Sequence, residues 1–401
     1  MTSVQSTTGS ATALDPDLPW CFDDEHRAWR EAVREFCERE VAPTAFERNR
    51  DAIFDERLAL GLGELGVYGT LIPAERGGMD GDLRMFCIAI EELARVDSGL
   101  AASAHVQGIA TALVDHLAND EQKRAVLPGA ISGETFVSFG LTESSGGSDA
   151  GNFGTRARRD GDDWVITGSK EFITNSGTPL SKYVVLFAAT GEGSRPGRPA
   201  ASAFLVPFDA PGMTVAPSYA KLGWRTSDTH PIFLDEVRVG ADALLAEEGR
   251  GYREALHFLT WARIPIAAMG VGLAQGCFDS TLDFVSSRES FGKPLGAHQA
   301  VSFELANIAA MTMTARVATY DAAWRYDKGL PYDREAAACK LMGSEFANQA
   351  AYKATQLHGG YGFMDEYAVT RHYADARILT IGEGSSEVQR MVIARSFGLP
   401  V

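Results

Sequence analysis

The chain has 401 residues, which at about 150 residues per domain is enough for two or three domains. Hydrophobic residues make up 45% and charged residues 22%, a globular balance that excludes a disordered or fibrous chain. With 37 basic and 53 acidic residues the formal charge is −16. That argues against a general nucleic-acid binder, which needs a basic footprint, while still allowing a local clamp for an anionic ligand.

Five scattered cysteines (Cys21, Cys37, Cys87, Cys277, Cys339) contain no C-x-x-C, so neither a disulfide framework nor a zinc knuckle is expected. Free thiols point to a reducing, cytoplasmic location. The eight histidines form no H-E-x-x-H, and no metal site is expected. No apolar run reads as a membrane span, and no membrane partner is expected.

In chain order, residues 1–20 read as a disordered tail, Ser/Thr-rich and without a basic-then-apolar signal pattern. Residues 21–137 read as an N-terminal α-helical domain. Leu83, Phe86, Cys87, Ile90 and Leu93 fall at three- and four-residue spacing on one helix face, with Asp80 or Asp82 as a cap. Trp29, Val33, Phe36 and Cys37 share that period, and Asn119 offers a cap for another helix ending near Gly133. Gly61-Leu-Gly-Glu-Leu-Gly66 matches G-x-G-x-x-G, but no strand precedes it. Its glycines are expected to end a helix and make a turn.

Residues 138–248 read as a middle β domain. Trp164–Thr167 follows the hairpin signal Asp160-Gly-Asp-Asp163, and three further β-branched or aromatic runs lie at 182–189, 202–208 and 232–239. Residues 249–401 read as a C-terminal α-helical bundle with long helices at 256–287, 299–327 and 335–358, the first disturbed only by Pro265.

Five segments carry chemistry. Phe139-Gly-Leu-Thr-Glu-Ser-Ser-Gly-Gly-Ser-Asp149 leaves an apolar run as a Gly/Ser loop. It suits a phosphate or polar ring edge, and equally an ordinary turn capped by Asp149. In Lys170-Glu-Phe-Ile-Thr-Asn175, a hydroxyl beside an aromatic suits a flat heterocycle, or a plain strand. Arg288-Glu-Ser-Phe-Gly-Lys293 places an Arg fork and a hydroxyl at a helix end, as a pyrophosphate needs; the alternative is a surface arginine. Gln356-Leu-His-Gly-Gly-Tyr-Gly362 is a left-handed helix cap or a place where backbone approaches a ligand. Glu383 stands between Gly382 and Gly384, ahead of a helix capped by Ser385 or Ser386, with Ser386-x-x-Gln389 as a capping box. It is either a general base on a glycine hinge or an acid favoured by the helix dipole.

Together and in this order, the segments resemble the acyl-CoA dehydrogenase family, from about Phe22 to Phe397. The resemblance implies an α+β fold: an N-terminal α-helical domain, a small middle β-barrel or sandwich, and a C-terminal four-helix bundle. It also implies a homotetramer (a dimer of dimers), one FAD per subunit, acyl-CoA substrates and an electron-transferring flavoprotein as acceptor. It places Phe139, Leu141 and Thr142 at the flavin ring and Ser148 near the FAD pyrophosphate and the pantetheine arm. Phe172 and Thr174 fall beside the flavin. Arg288, Ser290, Phe291 and Gln299 match a clamp from a neighbouring subunit, with Gln356, Gly359 and Gly360 on the adenosine half. Ser385 and Glu387 match positions near the adenine. Arg263 and Gly384 fall on the substrate side, and Glu383 on the catalytic glutamate.

Three positions depart from the family pattern. Ser144 stands where Pro is frequent, Phe172 where Trp is, and Gly382 where Tyr is. Ala262 occupies the neighbourhood in which some members carry the base, so Glu383 has no rival there. The implied reaction is α,β-dehydrogenation of an acyl-CoA to the trans-2-enoyl-CoA. Glu383 takes the α-proton, the Cβ hydride goes to flavin N5, and the Glu383 N–H helps hold the thioester oxygen. Two alternatives stand beside it: a relative acting on a nitroalkane or using oxygen, and a non-catalytic flavin-bearing interaction protein.

Overall fold

The computed structural model describes residues 14–193 and 198–401. Of the expected tail, residues 1–13 lie outside the described residues. Leu14 and Leu18 pack on the main core, and Leu18 O accepts from Cys21 N.

Six α-helices build the first domain: α1 (Asp24–Phe36), α2 (Ala45–Asp51), α3 (Glu56–Leu65), α4 (Leu83–Val96), α5 (Ser98–Leu117) and α6 (Asp120–Ser132). Their starts follow the capping residues. Asp82 accepts from Met85 N at the head of α4, and Asn119 with Gln122 forms a reciprocal capping box on α6. In the G-x-G-x-x-G segment Gly66, at φ 100°, ends α3 as expected. Gly63 lies inside the helix instead of in a turn. A Cβ there would stand 2.0 Å from Ser132 O, so this glycine lets α3 press against α6.

The middle domain contains β1 (Phe136–Gly140), β2 (Arg156–Asp160), β3 (Asp163–Thr174), β4 (Ser181–Glu192), β5 (Pro199–Pro207), β6 (Met213–Val215), β7 (Thr229–Val239) and β8 (Leu244–Leu245). They form one sheet in the order β6-β7-β3-β2-β4-β5-β8, with β1 parallel to β4. The continuous apolar run of β4 is explained by burial on both faces. Val184, Leu186 and Ala188 enter the domain's own core, while Val185, Phe187 and Ala189 enter the core shared with the helices.

The last domain holds α7 (Gly251–Ser287), a hairpin of β9 (Glu289–Ser290) and β10 (Lys293–Pro294), then α8 (Gln299–Asp327), α9 (Asp333–His358), α10 (Ala368–Leu379) and α11 (Ser386–Ser396). α7, α8 and α9 pack on one another, α10 lies against α7 and α9, and α4 of the first domain runs along α7. α7 is unbroken at Pro265. Contrary to the sequence expectation, α7 is long and apolar enough to cross a membrane; 72% of its apolar window is buried inside the protein. All five cysteines are buried and free.

Candidate active site

The α10–α11 connection carries Glu383 at φ 54° and Gly384 at φ 84°. Ser385 caps α11 by accepting from Val388 N. The expected Ser386/Gln389 capping box is not formed. Gln389 is buried and its Nε2 donates back to Gly384 O (2.8 Å) and Glu383 O (3.3 Å), bracing the turn instead. Glu387 is exposed at the start of the helix.

Glu383 is half-buried. Its Oε2 is buried and has no hydrogen-bond partner. Burial raises its affinity for a proton above the usual carboxylate range, while the positive charges of Lys340 and Arg263 pull the other way. Of the two opposing effects, desolvation therefore outweighs the positive surroundings. Arg263, on α7, is half-buried with an unpartnered Nε, and burial lowers its pKa against the pull of Glu383 and Asp333. Ala262 beside it is buried.

A second group sits in the β domain. Lys170 is fully buried and donates to Leu141 O (3.2 Å) and Glu143 Oε1 (2.6 Å). Glu143 in turn accepts from Gly154 N (2.6 Å) and Thr155 N (3.1 Å), so one ion pair closes the loop. Thr142 O accepts from Glu171 N (2.9 Å), which joins the loop to β3. This sets Phe139, Leu141 and Thr142 beside the Phe172–Thr174 end of that strand. Phe139 packs its ring on Phe187 at 5.3 Å. Phe172, at φ 61°, is 65% exposed and leans on Tyr219 at 5.2 Å, whereas Thr174 is half-buried opposite Thr229. Ser148 is exposed further along the loop. The β domain reaches α10 through Trp224 N, which donates to Asp375 Oδ1 (2.6 Å).

The third group stands apart. Arg288 follows the last residue of α7 and lies over Tyr361 at 5.6 Å; Ser290 O meets the His298 ring at 3.0 Å. Phe291, in the hairpin at φ 52°, is 96% exposed. Gln299, Gln356, Gly359 and Gly360 are exposed as well. Gly359 has φ 59°, and a Cβ on Gly359 or Gly360 would meet nothing within 4 Å, so the chain leaves open space above this backbone. At about 1.5 Å per residue, Arg288 stands roughly 37 Å along α7 from Arg263. One subunit therefore brings Glu383 and Arg263 together but not Arg288 with Glu383.

Sequence reasoning missed Lys340, Lys170 and Glu143. No spacing in the sequence marks these three, and the backbone singles out other positions. Nine non-glycine residues have left-handed φ among the described residues, and four of them (Phe172, Asn175, Phe291, Glu383) fall in segments selected for chemistry.

A helical domain, a sheet and a helical bundle make a three-domain α+β scaffold, and its last turn presents a carboxylate oxygen that is buried and unpartnered. Comparison with known proteins narrows that class. Residues 23–134, 138–237 and 249–398 match the acyl-CoA dehydrogenase N-terminal, middle and C-terminal domains. A Bacillus subtilis protein named probable acyl-CoA dehydrogenase is 40% identical over 373 residues, 92% of this chain and 97% of that one. The butyryl-CoA dehydrogenase structure from Megasphaera elsdenii superposes with TM-score 0.90 at 32% identity, covering 94% of this chain and 99% of that one. A Mycobacterium smegmatis glutaryl-CoA dehydrogenase in complex with FADH2 gives TM-score 0.90 at 30% identity, covering 96% and 97%. The chain belongs to the acyl-CoA dehydrogenase family, a family of oxidoreductases.

Proposed function

We propose that this protein is an FAD-dependent acyl-CoA dehydrogenase that forms the α,β double bond of a trans-2-enoyl-CoA. The observation carrying the proposal is the Glu383 carboxylate: its Oε2 is buried and unpartnered, and desolvation makes it more basic. An α-proton is weakly acidic, so the base must hold a raised proton affinity and sit where water does not compete. Glu383 has the raised proton affinity, and its buried Oε2 is the oxygen that takes the proton.

The residues present fit FAD. Open space over Gly359 and Gly360, the exposed Arg288 and Phe291, and the exposed Phe172 beside Thr174 and the braced Thr142 loop suit a long, flat, anionic cofactor. Bound FAD supplies the two-electron acceptor. Phe139, Leu141, Thr142, Phe172 and Thr174 would hold its ring. Arg288, Ser290, Phe291, Gln299, Gln356, Gly359 and Gly360 would clamp it from a second copy, with Ser385 and Glu387 toward the adenine. The distance along α7 supports this division between subunits, and with it a homo-oligomer.

Arg263, Gly384 and Ser148 line the path for the thioester. The N–H of Glu383 has no backbone partner among the described residues and is free to hold the thioester oxygen as negative charge develops. An electron-transferring flavoprotein is the acceptor class that family membership implies.

The test is the visible spectrum of the purified protein, before and after anaerobic addition of a panel of straight, branched and aromatic acyl-CoAs. A flavin spectrum bleached by one chain type is the expected result. A flavin untouched by every thioester overturns the dehydrogenase assignment, and no flavin after reconstitution overturns the cofactor assignment.

A further inference from the structure

Beneath the turn that carries Glu383 lies Lys340, on α9 and fully buried. No carboxylate stands within ion-pair distance of its ammonium among the described residues. Its Nζ donates instead to two carbonyls: Leu379 O at 2.7 Å and Gly384 O at 2.8 Å. Leu379 is the last residue of α10 and Gly384 directly follows Glu383, so one cation ties both ends of the segment that presents the carboxylate.

A simpler role would be to cap α10, whose last carbonyls lack helical partners. Capping accounts for the bond to Leu379 O. It does not account for the second bond, which reaches past the helix to the far side of Glu383. Nor does it explain a buried cation without a counter-ion, which is costly wherever a neutral donor would serve. The turn also needs holding. Glu383 and Gly384 are consecutive left-handed residues, a conformation that Glu adopts only under restraint.

The charges around the pair are few. Glu383 is faced by Lys340 from α9 and Arg263 from α7. Lys340 is faced by Glu383, Arg263, Glu345 and Glu387. Burial holds the Lys340 pKa down to about 8, so the ammonium is charged at neutral pH.

We propose that Lys340 is the positioning residue of Glu383: it locks the left-handed turn through Leu379 O and Gly384 O, and its buried positive charge opposes the effect of burial on the carboxylate. This inference rests on the reading of Glu383 as the base. Removing the positive charge should favour the protonated acid, so Glu383 would lose its proton only at higher pH.

The experiment uses the FAD-loaded enzyme with Lys340→Met, Lys340→Gln and Lys340→Arg. The titration of Glu383 is followed by pH-difference infrared spectroscopy, through the carboxylic C=O band that Glu383→Gln abolishes. Flavin reduction by the best thioester of the panel is measured against pH. FAD content and Tm report folding. In Lys340→Met the midpoint should rise by about one pH unit. Reduction near neutral pH should fall by up to about tenfold and recover at alkaline pH. Lys340→Arg should restore the midpoint toward that of the parent. Should the Met variant not fold, Lys340→Gln keeps a donor without the charge, and the same rise is expected. A folded, FAD-replete Met or Gln variant with an unshifted midpoint and profile overturns the proposal. Undiminished flavin reduction in Glu383→Gln would remove the base assignment itself, a failure visible before any Lys340 variant is compared.

Discussion

The two ends of α7 are built on opposite terms. Near residue 263 the helix is enclosed. Arg263, Glu383 and Lys340 see one another across α7, the α10–α11 turn and α9, and the protein's own core supplies all the burial they have. Near residue 288 the helix runs out into an exposed hairpin, with Phe291 at 96% exposure and two glycines facing open space. The enclosed end can tune a proton affinity, because desolvation does that work. The open end can tune nothing until something covers it. On the functional reading above, the proton-transfer half of the site is complete within one chain, and the cofactor-clamping half is completed by a second copy.

The largest effect that can break this comparison is at the enclosed end. Glu383→Gln should bind FAD normally and slow flavin reduction by about 10²- to 10⁴-fold, as measured by anaerobic stopped flow. A loss of less than tenfold would mean that another group takes the proton.

Arg288→Ala comes next. It should weaken FAD binding by about ten- to a hundredfold in equilibrium titration, the usual effect of deleting a charged hydrogen-bonding partner. Refolding Arg288→Ala together with Glu383→Gln sharpens the test. If the two ends serve different subunits, mixed oligomers regain activity above either parent. Mixtures that stay at the parental level would place both residues in the same subunit's site.

Gly360→Ala should be smaller still. Its Cβ would meet no atom of the chain within 4 Å, so thermal melting should stay within about 2 °C of the parent. FAD affinity should nonetheless drop, because the new methyl occupies the space left for the cofactor. Unchanged affinity would make that glycine a bystander.

The smallest effect is one of stability at Asp375, which joins the β domain to α10. Burial raises its pKa from 3.8 to about 7. Because the folded form holds its proton more tightly, its contribution to stability is present at low pH and lost as pH rises from about 4 through 7. Asp375→Asn keeps an acceptor for Trp224 N. It should melt a few degrees higher than the parent at pH 8, with a clearly smaller gain at pH 5. Equal differences at both pH values would show that the carboxyl does not titrate with folding.

Much of the scaffold was legible because its signals are local. Asp82 and Asn119 cap the helices that their positions announce, and α8 spans the stretch 299–327 read from composition. What was hidden depends on partners distant in sequence. The parallel pairing of β1 with β4 has no turn to announce it. Lys340 lies in an Ala-rich helix, where a lysine reads as a solvent-facing residue; only the fold reveals that its acceptors are Leu379 O and Gly384 O. Lys170 lies beside an aromatic and a hydroxyl that carry a recognisable pattern, whereas its own buried ion pair with Glu143 leaves no spacing to recognise. The Ser386/Gln389 box matched its pattern and still failed, since Gln389 finds better acceptors in the strained turn. Glu383 was legible as a position; its isolation from any partner was not.

The five buried cysteines have a practical consequence. None offers a surface thiol, and burial pushes Cys21 up to about 12 and the others higher still. Maleimides and similar alkylating probes, which react with exposed thiolates, should leave the native protein unlabelled. A single cysteine introduced at Phe291 would then be a unique attachment point, on the hairpin that leaves the body of the protein. A dye placed there would report by fluorescence whether that arm is free in water or covered by a neighbour, with no background from the rest of the chain.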